Sequence, residues 1–161
     1  MWTDTEIISA ISLAGERLGF QLRPRQQEVV LAFLRGRDVF VSLPTGSGKS
    51  LCYSILPWAF DLLRKRAAES SVVVVVSPLI ALMKDQVESL RRKTVTAICI
   101  GETTGNEELI EEVHEGKYQV LFFSPERLLT DMGWRDMLQS AYYQENLVGF
   151  IIDEAHCVKM W

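Results

Sequence analysis

The run Leu43-Pro44-Thr45-Gly46-Ser47-Gly48-Lys49-Ser50 combines residue types suited to holding a phosphate. Gly46 and Gly48 carry no side chain, so backbone N–H groups can close around an anion. Lys49 adds a full positive charge for terminal phosphates, and Ser50 adds a hydroxyl suited to Mg²⁺. The first position of the usual glycine-rich pattern is Leu43 rather than glycine. Further along, Phe150-Ile151-Ile152-Asp153-Glu154-Ala155-His156 reads as an apolar strand ending in two carboxylates. Nucleotide hydrolysis needs one carboxylate to hold Mg²⁺ and another group to orient or deprotonate water. Asp153 suits the first role and Glu154 the second, since a carboxylate is ionised at neutral pH.

The elements around these residues are those the chemistry requires. Val39 to Leu43 is a short apolar run before the glycines, so a strand is expected there, followed by a helix from Lys49 to about Arg66 with a kink at Pro57. Thr3 and Glu6 fit a capping box opening a helix whose inward face is Ile7, Ile8, Ile11, Leu13 and Ala14, with Gly19 as its stop. Pro24 suits the first turn of a second helix, with Val29, Val30, Phe33 and Leu34 as its apolar face and Gly36 at its end. Val72 to Val76 is five valines in succession. β-branched residues without polar alternation predict a strand buried on both faces, hence a parallel sheet between helical layers.

Helices are expected over 79–92, 107–115 and 132–142, and strands over 95–100, 120–123 and 148–152. Pro44, Ser77, Ser124 and Asp153 then all fall at carboxyl ends of strands, the rim where open α/β sheets bind ligands. Ser77-Pro78 and Ser124-Pro125 also fit as strand-to-helix caps.

The chain has 161 residues, 48% of them hydrophobic, and a net charge of −4. It reads as a single domain long enough for a substantial core. The charge gives no global basic footprint, so DNA contact must come from local groups such as Lys84 or the Arg91-Arg92-Lys93 run. That run also suits a helix C-terminus. Cys52, Cys99 and Cys157 are far apart and adjoin apolar segments, which argues against a zinc site or disulfide framework and for a reducing compartment. No apolar stretch approaches membrane-spanning length, so no membrane partner is expected.

Read together, these segments resemble superfamily 2 helicases, and within them the RecQ DNA helicases. Pro44 to Tyr53 looks like motif I, Ser77 to Gln86 like motif Ia, Ser124 to Leu128 like motif Ib, and Asp153 to Cys157 like motif II. Leu18 to Gln26 looks like motif 0, where family members recognise adenine.

The resemblance implies a P-loop, RecA-like fold of mostly parallel strands flanked by helices, truncated before motif III. Residues 1–36 would carry two helices and the adenine motif, and 37–161 part of the first RecA-like domain. It implies ATP and Mg²⁺ as cofactors, with nucleotide held by Arg23, Gln26 and the run Pro44, Thr45, Gly46, Ser47, Gly48, Lys49 and Ser50. Ser50 and Asp153 would organise Mg²⁺, and Lys49 and Glu154 would carry the catalysis. Ser77, Pro78, Lys84, Ser124, Arg127, His156 and Trp161 become candidates for DNA contact, with His156 relaying nucleotide state.

The implied partners are single-stranded and tailed duplex DNA in the full-length protein, with 3′-to-5′ unwinding, in DNA repair and recombination. The implied location is intracellular, nuclear if the source is eukaryotic. Oligomeric state stays open. In this superfamily the motif III strand lies between the phosphate-loop and motif II strands, so a gap in the sheet is expected in these 161 residues. The alternative function is a nucleotide-binding or interaction module without motor activity. An RNA helicase of the Asp-Glu-Ala-His type shares the box but not the Ser77 to Gln86 segment.

Overall fold

Five consecutive valines organise the molecule. In the computed structural model, which describes residues 1–41 and 48–153, Val72–Val76 form strand β1, and each valine is almost fully buried. Side chains alternate across a strand. Val73 and Val75 therefore enter one core, with Ile7, Val30, Tyr53, Trp58 and Met83. Val72, Val74 and Val76 enter a second, with Trp134, Met137 and Tyr143.

The first core is built by α1 (Asp4–Leu18), α2 (Pro24–Leu34), α3 (Lys49–Ser54), α4 (Leu56–Leu63) and α5 (Ile80–Arg92). The second is built by α6 (Glu107–His114), α8 (Met132–Leu138) and α9 (Ala141–Asn146). A short helix α7 (Pro125–Thr130) precedes α8.

The sheet has four parallel strands in the order β2-β3-β1-β4, where β2 is Ala97–Cys99, β3 is Val120–Phe123 and β4 is Leu147–Ile152. The chain steps from β1 outward to β2, then reverses through β3 to β4. Parallel crossovers are right-handed, so a reversal of direction moves the connecting helix to the other face. That is why α5 lies on the first core and α6, α8 and α9 on the second. α1 and α2 share the first core with the sheet, through Ile7, Ile11, Val30 and Leu34.

Several expectations are corrected. Helix α1 has the expected capping box, with the Glu6 N–H donating to Thr3 Oγ1 (3.2 Å), and Gly19 closes it in the left-handed region. Its buried face is Ile7, Ala10, Ile11, Ala14 and Leu18, whereas Ile8 and Leu13 are exposed. They lie a residue off the 3.6-residue stripe. The helix expected from Lys49 to Arg66 breaks at Ile55, because Pro57 has no N–H to return to the preceding turn. The helix over 132–142 is likewise two helices, α8 and α9. The strand over 95–100 shrinks to β2, and its last residue passes into a 3-10 turn, Ile100–Thr103.

Residues 37–41, leading toward the glycine-rich run, form no strand, and Phe40 is exposed. The outer edge of β4 carries no strand among the described residues, and residues 37–41 do not pair with it. β4 also departs from the buried strand expected at 148–152. Val148 is an extra residue against β1, since Val72 pairs with Leu147 and Val73 with Gly149. Beyond that bulge Phe150 and Ile152 are exposed.

Candidate nucleotide site

Because the strands are parallel, their carboxyl ends share one rim. Val76 is level with Phe123 on one side and Ile152 on the other. Asp153 donates its backbone N–H to the Val76 carbonyl (2.8 Å), and Ser77 donates to the Phe123 carbonyl (3.0 Å). These bonds extend the ladder one residue past the strands and hold the candidate Mg²⁺ carboxylate at the rim.

Helix α3 carries the candidate phosphate-binding residues Lys49 and Ser50. Gly48 is its N-cap, at φ 73°, a conformation glycine adopts without strain. Lys49 and Ser50 occupy the first turn. Because α3 stops at Ser54, its contribution to an anion comes from first-turn N–H groups rather than a long aligned dipole. Tyr53, three residues after Ser50, is buried with its ring edge-on to Phe122 of β3 (centroids 6.2 Å apart), which seats the helix on the sheet.

Gln26 ties the adenine motif to this turn. It is buried at the start of α2. Its Nε2 donates to the Gly48 carbonyl (3.1 Å), and its Oε1 accepts from the Arg23 N–H (2.8 Å). A Cβ on Gly48 would stand 2.5 Å from Gln26 Nε2, so the amide would have to shift away, and its bond to the Gly48 carbonyl with it. Arg23 is exposed.

The structure thus joins Gln26 to Gly48, with Lys49 and Ser50 following at the start of α3, and places Asp153 at the carboxyl end of β4. Pro44, Thr45, Gly46, Ser47, Glu154, His156 and Trp161 lie outside the described residues, as does Cys157. Ser50 and Asp153 are hard oxygen donors of the kind Mg²⁺ takes, one or two from protein with phosphates and water completing the shell. The described donor set fits that ion.

The DNA-contact candidates divide by exposure. Lys84 is exposed on α5, and Pro78 is half-buried. Arg127 is half-buried and donates to Thr104 Oγ1 (2.8 Å). Ser124 caps α7, accepting from the Arg127 N–H (3.3 Å). Ser77 does not cap α5, whose N-cap is Leu79; it is fully buried and accepts a long 3.4 Å bond from the Leu79 N–H. Its side chain therefore offers no surface to a ligand. Arg91 donates to the Ala97 carbonyl (3.0 Å), tying the end of α5 to β2.

Burial pushes the Cys52 thiol up to about 11, so at neutral pH it is a protonated core residue, and Cys99 is buried as well. Among the described residues no helix is long and apolar enough to cross a membrane.

Tyr53 was not singled out as a site residue by sequence. Its hydroxyl is buried and has no hydrogen-bond partner among the described residues. The available signal was its place one helical turn from Ser50, on the same face.

A parallel sheet between helical layers, with a glycine-lysine-serine helix start and an aspartate at a strand's carboxyl end, is consistent with a RecA-like domain. The model for DEAD/DEAH box helicases matches residues 23–161, and the chain belongs to that family. Its relatives are of the RecQ type. It is 34% identical over 163 residues to the ATP-dependent helicase SGS1 of Saccharomyces cerevisiae, covering 99% of this chain and 11% of that protein. It is 37% identical over 139 residues to the ATP-dependent DNA helicase RecQ of Synechocystis, covering 84% of this chain and 27% of that one. With RecQ of Haemophilus influenzae the identity is 35% over 158 residues, or 95% and 23% of the two chains. The chain thus spans between about a tenth and a quarter of the length of these relatives.

Proposed function

We propose that this chain is the ATP-binding part of a RecQ-like helicase that couples ATP hydrolysis to 3′-to-5′ movement on single-stranded DNA and to unwinding of tailed duplexes. The observation that supports the reading is where the sheet and its helix carry these residues. Asp153 is fixed beside the end of β1 by its N–H bond to Val76, and Lys49 and Ser50 open the helix seated on the same sheet. Names of the relatives supply the DNA substrate and the ATP dependence.

In this reading Pro44 to Lys49 wrap the β and γ phosphates, with Lys49 balancing their charge. Ser50 and Asp153 hold Mg²⁺, which neutralises charge on the phosphates. Glu154 accepts a proton from the attacking water. Arg23 and Gln26 meet the adenine end, and the Gln26 bond to Gly48 gives that contact a direct line to the phosphate loop. His156 passes nucleotide state toward DNA. On the DNA side Lys84, Pro78, Arg127 and Trp161 supply contacts, while Ser77 and Ser124 act through the backbone they hold. Residues 1–36 form the adenine-side helices and 37–161 part of the first RecA-like domain. The site of action is intracellular, the nucleus in a eukaryote.

The test separates binding from hydrolysis. Glu154→Gln keeps the shape of the side chain and loses the base. In a protein completed to the length of its relatives, we expect ATP affinity within about twofold of wild type and a turnover loss on the order of a hundredfold or more. Wild-type turnover in Glu154→Gln, measured with and without single-stranded DNA, would remove Glu154 from the mechanism.

A further inference from the structure

Strands β2, β3 and β1 are parallel neighbours, so the loops that leave their carboxyl ends lie side by side. The loops after β1 and β3 carry the DNA-contact candidates Ser77, Pro78, Ser124 and Arg127. The loop after β2 drew no candidate from its sequence, yet its backbone is firmly held. Thr103 is 1% exposed, and its Oγ1 donates to the Ile100 carbonyl (2.6 Å). The Asn106 N–H donates to the Thr103 carbonyl (2.9 Å), and Asn106 Oδ1 in turn caps α6, accepting from the Leu109 N–H (3.2 Å). Thr104 stands between these anchors with its side chain exposed.

Arg127 reaches this turn, its Nη2 donating to Thr104 Oγ1 (2.8 Å). Its own backbone is fixed as well, since its N–H donates to Ser124 Oγ (3.3 Å). The guanidinium is held but not neutralised. Arg35 pairs with Asp4 and Arg66 with Glu145, whereas among the described residues no carboxylate pairs with Arg127. A hydroxyl oxygen takes one of the five N–H donors and leaves the charge and the other donors for an anion.

We propose that Thr104 is a positioning residue for Arg127, holding its guanidinium ready for a phosphate of single-stranded DNA. This rests on the assignment of Arg127 to DNA made above. A long arginine side chain on the surface loses rotamer freedom when it binds. A bond already formed to a rigid turn removes part of that loss before the DNA arrives. Thr104 itself touches no DNA in this account and acts through Arg127 alone. The rival role for the bond is structural, pinning the loop after β2 to the start of α7.

The experiment is fluorescence anisotropy of a labelled oligothymidylate with the 161-residue chain, over a series of salt concentrations. It compares wild type, Thr104→Val, Thr104→Ser, Arg127→Gln and the Thr104→Val/Arg127→Gln double variant, with melting temperatures recorded without DNA. Valine keeps the shape of threonine, and the backbone at Thr104 (φ −58°, ψ 121°) admits it. Thr104→Val should melt as wild type does and bind about threefold more weakly, the effect of one lost hydrogen bond. Its salt dependence should match wild type, because the charge remains. Arg127→Gln should weaken binding and flatten the slope of log affinity against log salt by about 0.7, the mark of one phosphate contact on a single strand. Thr104→Ser should restore wild-type affinity, and Thr104→Val should change nothing further in the Arg127→Gln background. Wild-type affinity in Thr104→Val beside a loss in Arg127→Gln overturns the inference and leaves Arg127 in place. A loss in Thr104→Val that persists in the double variant overturns it too, as does a Thr104→Val that fails to fold or melts lower with affinity unchanged. Wild-type affinity in Arg127→Gln, or no DNA binding by the folded wild type, removes the Arg127 assignment and the inference together.

Discussion

At the scale of single residues the site turns on contacts that allow little substitution. Gly48 combines a left-handed backbone with a Gln26 amide that a Cβ would displace. Gly48→Ala should therefore destabilise the chain by about 1–2 kcal/mol from the backbone alone, and break the Gln26 bond in addition. Urea unfolding reads the first effect. Weaker ADP binding than in a Gln26-intact control such as Gly36→Ala, also at positive φ but with open space around it, reads the second. The residue types of the phosphate run and of Asp153 were legible in the sequence because their chemistry and order are restrictive. The Gln26 bond to Gly48 was not, since it joins residues 22 apart that only the packing of α2 against α3 brings together.

At the scale of elements, local signals proved reliable where the chain itself supplies the partner. The capping box at Thr3, the stop at Gly19 and the Ser124 cap are all short-range hydrogen bonds, visible as residue spacings. The two Ser-Pro junctions look alike in sequence and differ in structure. Ser124→Ala should cost about 1 kcal/mol, the usual worth of an N-cap. Ser77→Ala loses only a long bond to Leu79 and should stay within about 0.5 kcal/mol of wild type. Denaturant midpoints of the two variants decide it, and equal losses would contradict the distinction. Helix breaks were harder to read. Pro57 announced the break at Ile55, while the interruption between α8 and α9 had only Ser140, the N-cap of α9, as its signal. There the chain turns so that Trp134 and Tyr143 both reach the second core.

At the scale of the whole molecule, the valine run foretold both cores and the parallel sheet. Strand order, by contrast, is set by which edges are available, and single-strand patterns do not carry that information. The apolar pattern of β4 suggested burial, yet Phe150 and Ile152 face solvent at 47% and 44% exposure, on an edge strand with no neighbour among the described residues. Exposed apolar edges promote pairing between chains. Ile152→Lys should therefore reduce self-association of the 161-residue chain, seen by sedimentation as a shift toward monomer at equal concentration, with little loss of melting temperature.

The central claim is that Gly48, Lys49 and Ser50, with Asp153 on the metal side, bind Mg²⁺-ATP through its phosphates. Isothermal titration of Mg²⁺-ATP into wild type and Lys49→Ala tests it most directly, with circular dichroism confirming that both are equally folded. The account predicts saturable binding by the wild type and a loss of at least about tenfold in affinity for Lys49→Ala, the worth of a charge-assisted contact to phosphate. Equal affinity in the two proteins, or no binding by a folded wild type, would contradict it.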